Sequence, residues 1–421
     1  MAEVAADPEV LARYGEVVAA SVPDLVRSAR DLGSLVGADP GRATTAQELA
    51  WRIEQVAAAE AATGRWVAAV GRAFADADHR TALAAVDLLG TLAHHPASSD
   101  VGRSTVDALF AGGPSVALVR AAAVALGPDG ALALARAVPD RVGPVDGMPV
   151  AARVAANREL VRRALATATD PARRRALAAL LADDPRTGGP RQILLFDPVG
   201  DGRVAEVFGD LDRARSVAVV VPGVSSTLEN FDRAVARRAA DLARRAAAVG
   251  GGAGSVAVVA WLGYDPPDGL VADVDELGAL VRARPAREGG AALARFVDGL
   301  DLGAARRLTL VGHSYGSTTV GAAVLAGVRP ANVVVLGSPG VLVDRAGDFH
   351  RPATDFFALG APWDPVADLG WFGRAPTRRG SGFRLLAVGG SGHSAYLVDG
   401  SVGQANVAAV VLDRDDLLIG A

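Results

Sequence analysis

Three residues in the C-terminal part of the chain have the types and order that acyl transfer needs: Ser314, Asp364 and His393. A serine hydroxyl is a weak nucleophile until a base takes its proton, and a histidine base needs a carboxylate to hold its tautomer. Ser314 lies at the centre of Gly312-His313-Ser314-Tyr315-Gly316-Ser317. The apolar run Leu308-Thr309-Leu310-Val311 precedes it, and a small-residue run from Thr318 to Ala326 follows. Strand, G-x-S-x-G, helix is the context that puts a serine at the tip of a sharp, strained turn. The flanking glycines are needed because strand and helix pass too close there for side chains. The same turn presents the backbone N–H of Tyr315 to a developing oxyanion. The pattern alone is weak in a chain with 49 glycines, and a glycine-rich turn packed on a sheet is the plain alternative. The partners downstream make it specific.

Two histidines follow Ser314. His393 stands in Gly389-Gly390-Ser391-Gly392-His393-Ser394, a flexible loop just after the last expected strand, and is the favoured base. His350, ahead of a strand, fits less well. The favoured acid is Asp364 in Gly360-Ala361-Pro362-Trp363-Asp364-Pro365, at the carboxyl end of the penultimate strand; Asp344 is the runner-up. Either carboxylate could instead cap a helix or a loop. The second oxyanion donor is expected from the loop Pro222-Gly223-Val224-Ser225, as the N–H of Val224. Trp261, Tyr264, Asp265 and Trp363 are candidate substrate-pocket residues, because they follow strands at the sheet edge where ligands bind. Local packing is the alternative for each. A neutral histidine is required, so activity is expected to fall below about pH 6.

Positioning these residues takes strands alternating with helices, and the second half of the chain reads that way. Strands are expected at 192–197, 203–208, 216–221, 255–262, 307–311, 332–336, 355–359 and 383–388. The first two form a hairpin around an Asp-Gly turn. Helices are expected at 230–248, within 274–300, from 318 to about 327, and at 402–413. The first half reads as helical. Thr45 and Glu48 form a capping box, and Leu49, Ile53, Val56, Val67, Val70 and Phe74 share a face of one long helix. Helices continue over 114–138 and 150–182. The turn-rich 183–190 reads as a linker. The expected domains are therefore a helical domain at 1–139, a helical segment with linker at 140–189, and an α/β domain at 190–421. His79, His94 and His95 have no ligand cluster around them and read as surface or cap residues.

Composition narrows the chemistry. All 43 basic residues are arginine and there is no cysteine, so lysine mechanisms, thiol catalysis and disulfides are excluded. A net charge of −4 with mixed signs argues against nucleic acid as the main partner. The N-terminus lacks the apolar core of a secretory signal, and no apolar run is long enough to span a membrane. The expected compartment is the cytoplasm, with signal-peptide-independent export as the alternative.

At this point the sequence resembles a family: the actinobacterial α/β-hydrolases long catalogued as a domain of unknown function. The resemblance rests on Pro222-Gly223 with Ser226-Thr227 and Asn230-Phe231, on Trp261-Leu262-Gly263-Tyr264-Asp265 and on the elbow around Ser314. It also takes in Gly337-Ser338-Pro339-Gly340-Val341, His393 with Tyr396, and Asp146-Gly147-Met148-Pro149 with Arg153, Asn157 and Arg158. It covers about 140 to 415. It implies an α/β-hydrolase fold, a mostly parallel sheet of about eight strands, with a serine hydrolase triad and an extra helical domain. Val224 stands where relatives tend to have threonine, which removes a hydroxyl but not the backbone donor. The segment 140–182 is then expected to pack on the hydrolase domain, as part of a lid or as a brace. The expected activity is hydrolysis of a small carboxylic ester or other acyl substrate, without metal or organic cofactor. An amidase or peptidase with the same residues, or a non-enzymatic secretion-associated protein on this scaffold, are the alternatives.

Overall fold

The apolar, β-branched runs of the second half cannot be buried one at a time, and they assemble into one sheet. The computed structural model describes residues 116–421 except 251, 253, 269–282 and 304. The long helix expected in the first half, with its capping box, and the histidines at 79, 94 and 95 lie outside the described residues, as does the start of the helical stretch expected at 274–300. The chain divides into two compact units, Met1–Ala152 and Arg153–Ala421.

In the first unit, helix α1 spans Val116–Ala137 and breaks at Gly127, which has φ 69° and ψ 173°. Pro128 causes the break: it has no N–H to give, and it excludes the preceding residue from helical angles. A single turn follows at Pro139–Val142. Gly147 has φ 97°, and a Cβ there would lie 2.7 Å from the Val116 carbonyl oxygen, so only glycine fits that turn. Helix α2, Val150–Thr167, begins here and runs into the second unit.

The second unit holds an eight-stranded sheet: β1 Gln192–Asp197, β2 Arg203–Gly209, β3 Ser216–Val221, β4 Val256–Leu262, β5 Arg307–His313, β6 Asn332–Leu336, β7 Asp355–Leu359 and β8 Arg384–Leu385. Their spatial order is β1-β2-β4-β3-β5-β6-β7-β8. β2 is antiparallel to both β1 and β4, and the remaining pairs are parallel. β3, β4 and β6 are buried at every position, as expected for strands covered on both faces. Helices α4, Arg237–Gly250, and α7, Val402–Val411, pack together, as do α5, Arg284–Gly299, and α6, Tyr315–Leu325. The α5–α6 contact is tight: a Cβ on Gly290 would lie 2.4 Å from that of Ala322.

Three expectations need correction. β5 runs two residues beyond 311, because Gly312 and His313 still pair with Val335 and Leu336. The run 383–388 gives only a two-residue strand. The Leu386 N–H still donates to the Ala358 carbonyl of β7 at 3.0 Å, and on its other edge the chain pairs with the C-terminal tail, through a Leu386–Gly420 bridge and an Ala387 N–H donating to the Ile419 carbonyl at 2.9 Å. The helix expected from 230 enters through a 3₁₀ turn and a π turn, and becomes α-helical only at Arg237.

Helix α3, Pro171–Leu181, is capped by Asp170, whose carboxylate accepts from the Arg173 N–H at 2.7 Å. Arg173 also holds the β1–β2 turn, donating to the Pro198 and Gly200 carbonyls at 2.8 and 2.9 Å, and pairs with Glu229. From α2, Asn157 donates to the Ile193 carbonyl at 3.2 Å and Arg158 to the Leu181 carbonyl at 3.1 Å. The turn-rich 183–190 is closed rather than extended. Asp183 and Pro190 form a bridge, and Arg186 pairs with buried Asp184 at 3.1 Å and with Asp232 at 2.9 Å. Beside it, buried Arg191 grips buried Glu206 of β2 through two bonds of 2.8 and 2.5 Å. The segment thus braces the β1–β2 side of the sheet.

Candidate active site

Ser314 is placed by the crossing from β5 to α6. Its backbone has φ 55° and ψ −130°, which a residue with a side chain adopts only where its surroundings hold it. Its N–H donates to the Leu336 carbonyl at 2.9 Å. Its own carbonyl accepts from the Ser317 N–H at 2.9 Å and the Ser317 hydroxyl at 2.5 Å. Ser317 Oγ also lies 2.6 Å from Ser338 Oγ. The flanking glycines are required by contact: a Cβ on Gly312 would lie 2.5 Å from Ser317 Cα, and one on Gly316 would lie 2.4 Å from the Val221 carbonyl oxygen.

His393 and Asp364 come together from different loops. His393 Nδ1 lies 2.9 and 3.0 Å from the two Asp364 carboxylate oxygens. Asp364 is buried, and it also accepts from the Tyr396 hydroxyl and from the Val366 N–H at 2.9 Å. Burial pushes its pKa up, but hydrogen bonds from His393 and Tyr396 outweigh that and leave it below the usual carboxylate range. Tyr396 is itself oriented by accepting the Ala361 N–H at 3.0 Å, and burial keeps its phenol protonated. Gly337 makes room for this group: a Cβ there would lie 2.5 Å from Asp364 Oδ2. The two loops are tied to each other by the Gly392 N–H donating to the Pro362 carbonyl at 2.7 Å. Asp344, the alternative acid, instead accepts the Arg374 N–H at 3.0 Å as a loop cap.

Among the described residues, the hydrogen bonds of His393 run to Asp364 and to His313, not to Ser314 Oγ. Such bonds are often long in free enzymes and tighten only with substrate. His313, next to the serine, points Nε2 at the His393 carbonyl oxygen at 2.8 Å, and the two rings lie 4.8 Å apart between centroids, tilted at 35°. Sequence reasoning missed His313 because the middle positions of the G-x-S-x-G pattern carry no residue requirement. Tyr396 was visible only as part of a motif, without a role. A small cavity of about 10 Å³ lies beside His313, bordered by Pro222, Arg238, Ser394 and Tyr396.

The loop after β3 presses on the serine: a Cβ on Gly223 would lie 2.7 Å from Ser314 Cβ. Three of its carbonyls are engaged. Pro222 accepts from the Tyr264 hydroxyl at 2.7 Å, Gly223 from the Ser226 hydroxyl at 2.9 Å, and Ser225 from the Asn230 amide at 2.7 Å. The Val224 N–H donates no hydrogen bond among the described residues.

The four candidate pocket residues do not form one wall. Trp261 is corrected to core: it is 1 % exposed, stacked on Tyr264 at 5.9 Å and tilted against Phe296 at 6.2 Å, because both faces of β4 are covered. Tyr264 is also buried, and it shapes the site from behind through its bond to Pro222. Asp265 faces solvent and pairs with Arg203 at 2.7 Å. Trp363 alone is open, 90 % exposed beside Asp364, with φ 62°. Among the described residues, no three His, Asp or Glu side chains cluster closely enough to hold a metal ion. None of the described helices is long and apolar enough to cross a membrane.

Comparison with known proteins agrees with this architecture. A family model described as alpha/beta hydrolase matches residues 197–373. An uncharacterized protein of Mycobacterium tuberculosis is 34 % identical over 278 residues, which covers 55 % of this chain and 41 % of that protein. The chain thus spans well under half the length of that relative. An uncharacterized protein of Mycobacterium bovis is 33 % identical over 215 residues, which covers 48 % of this chain and 77 % of that protein. Among solved structures, a dienelactone hydrolase-like promiscuous phosphotriesterase from metagenomic libraries aligns with a TM-score of 0.33 and 19 % identity, over 52 % of this chain and 95 % of its own. With a relative matched over most of its length and a sheet of this order around a strained serine, the chain belongs to the α/β-hydrolase family.

Proposed function

We propose that this chain is a serine hydrolase acting on small carboxylic esters, with Ser314 as nucleophile, His393 as base and Asp364 as the group that orients it. The observation that carries this reading is the His393–Asp364 pair at 2.9 Å, delivered by two tied loops beside the strained Ser314 turn. Ser314 Oγ attacks the acyl carbon while its proton passes to His393 Nε2. The tetrahedral intermediate, its oxyanion held by the N–H groups of Val224 and Tyr315, expels the alcohol, which takes the proton back from His393. Water then repeats the sequence on the acyl-enzyme: its proton goes to His393, its oxygen to the acyl carbon, and Ser314 leaves with the proton restored. Asp364 stays ionised throughout and holds Nδ1–H toward itself, which leaves Nε2 as the acceptor. Trp363, exposed next to Asp364, is the side chain that an apolar acyl or alcohol group would meet. None of the steps calls on a metal or organic cofactor.

The test is labelling with a fluorophosphonate, wild type beside Ser314→Ala. Labelling of the wild type and its complete loss in the variant are expected. A folded wild type that does not react, or a variant that still does, removes the reading. Profiling the same pair on matched ester and amide substrates then separates esterase from amidase.

A further inference from the structure

We propose that His313 is a positioning residue, whose Nε2–H holds the main-chain carbonyl of His393 and so fixes the base beside the strand that carries the nucleophile. This rests on the reading of Ser314 and His393 given above.

The contact is 2.8 Å, and a carbonyl oxygen only accepts, so the His313 proton sits on Nε2. One ring N–H is all that a neutral imidazole has, and His313 is kept neutral. Desolvation, reinforced by His393 and Arg238, pushes its pKa down to about 3. Its charged and titratable surroundings are Arg238 from α4, Asp364 from the loop after β7, and His393 and Tyr396 from the loop after β8.

Asp364 cannot do this job alone. Its bond to Nδ1 sets the tautomer and one point of the ring, but the ring can still pivot about that point. The loop that carries His393 turns at positive φ through Gly389 and Gly392, at 72° and 80°, and its tie to the acid loop, through the Gly392 N–H, precedes the base by one residue. A second anchor on the His393 main chain, together with the tilted ring contact at 4.8 Å, removes the pivot. The anchor comes from the residue bonded to Ser314, so nucleophile and base are referred to one strand end. Displacement of a reacting group by about 1 Å can cost about 100-fold in rate.

Two substitutions separate the donor from the packing. His313→Phe keeps a flat ring for that contact and deletes the N–H; His313→Gln places an amide N–H where Nε2 now lies. Folding is checked by circular dichroism, and kcat and KM are measured with p-nitrophenyl butyrate alongside the fluorophosphonate labelling rate. His313→Phe is expected to lose about 10- to 100-fold in kcat and labelling rate, with KM within about 3-fold of wild type. His313→Gln is expected to recover most of the loss. If Ser314→Ala abolishes labelling but His313→Phe labels like wild type, or both His313 variants fall together, the positioning role is wrong and the serine reading survives. If His313→Phe does not fold, His313→Gln decides alone: a folded variant below about a tenth of the wild-type rate overturns the proposal. A wild type that does not label removes the serine reading and this proposal with it.

Discussion

Two regions of the second unit bury polar side chains, and they treat them in opposite ways. At the β1–β2 side every guanidinium nitrogen of Arg191 has a partner: Glu206 takes two bonds, and the Ala179 carbonyl and Asp232 take others at 3.3 Å. At the carboxyl ends of β5 and β7, Asp364 is fully engaged, while Ser314 Oγ and His393 Nε2 have no hydrogen-bond partner among the described residues. The first region spends its bonding on holding a helical brace to the sheet. The second leaves two atoms with capacity that a substrate can use. A buried polar group is costly when unpaired, so spare capacity kept on a strained turn marks a place where structure yields to chemistry.

This contrast can be broken from either end. The largest effect is expected from Asp364→Asn. It keeps the shape but presents an amide to Nδ1, and activity should fall about 10⁴-fold on the pattern of such pairs, read as kcat on an ester. A loss under about 10-fold would move the acid elsewhere. Arg191→Met should act on stability and not on chemistry. It leaves Glu206 buried without its partner, and urea denaturation should show a loss of about 3–5 kcal/mol with the activity of the folded fraction unchanged. Adding Glu206→Leu should recover much of that. A change in kcat with unaltered stability would erase the distinction between the two regions. The smallest effect concerns His313. Burial pushes its pKa down to about 3, below the ordinary imidazole value of 6.5. The unfolded chain therefore binds a proton that the native chain does not, and stability falls as pH drops from about 6.5 towards 3. Relative to His313→Gln, the wild type should lose up to about 1 kcal/mol of denaturation free energy per pH unit in that window. Parallel pH curves for the two proteins would show that the ring titrates freely.

Much of this arrangement was legible in the residues. β3 and β6 begin and end where the apolar runs do, because central strands buried on both faces need unbroken β-branched stretches; β1 and β7 also keep their expected bounds. The elbow was legible because its glycines answer to contacts of 2.4 to 2.5 Å that no other residue survives. Order along the chain picked out Asp364 and His393, and these two side chains meet. What stayed hidden depends on distant partners. The run 383–388 has strand composition, yet only Arg384 and Leu385 form the ladder with β7, and the tail at 419–421 that lines its other edge could not be read locally. Trp261 looks like a pocket aromatic from its place at the end of β4, and only the packing of Phe296 and Tyr264 around it shows otherwise. His313 and Tyr396 acquire meaning only when loops far apart in the chain meet.

The tail beside β8 has a further consequence. Ile419 and Ala421 exchange main-chain bonds with Ala387 and Leu385, and Asn406 of α7 clamps Ile419 with an N–H···O bond of 2.7 Å and a return bond of 2.9 Å. An open sheet normally ends in a row of unused donors and acceptors, a template on which another chain can polymerise. Here the molecule lays its own polypeptide across that template. Strand addition at the β8 end would first have to peel away the tail and break its side-chain clamp, so that end is guarded against amyloid-like self-pairing.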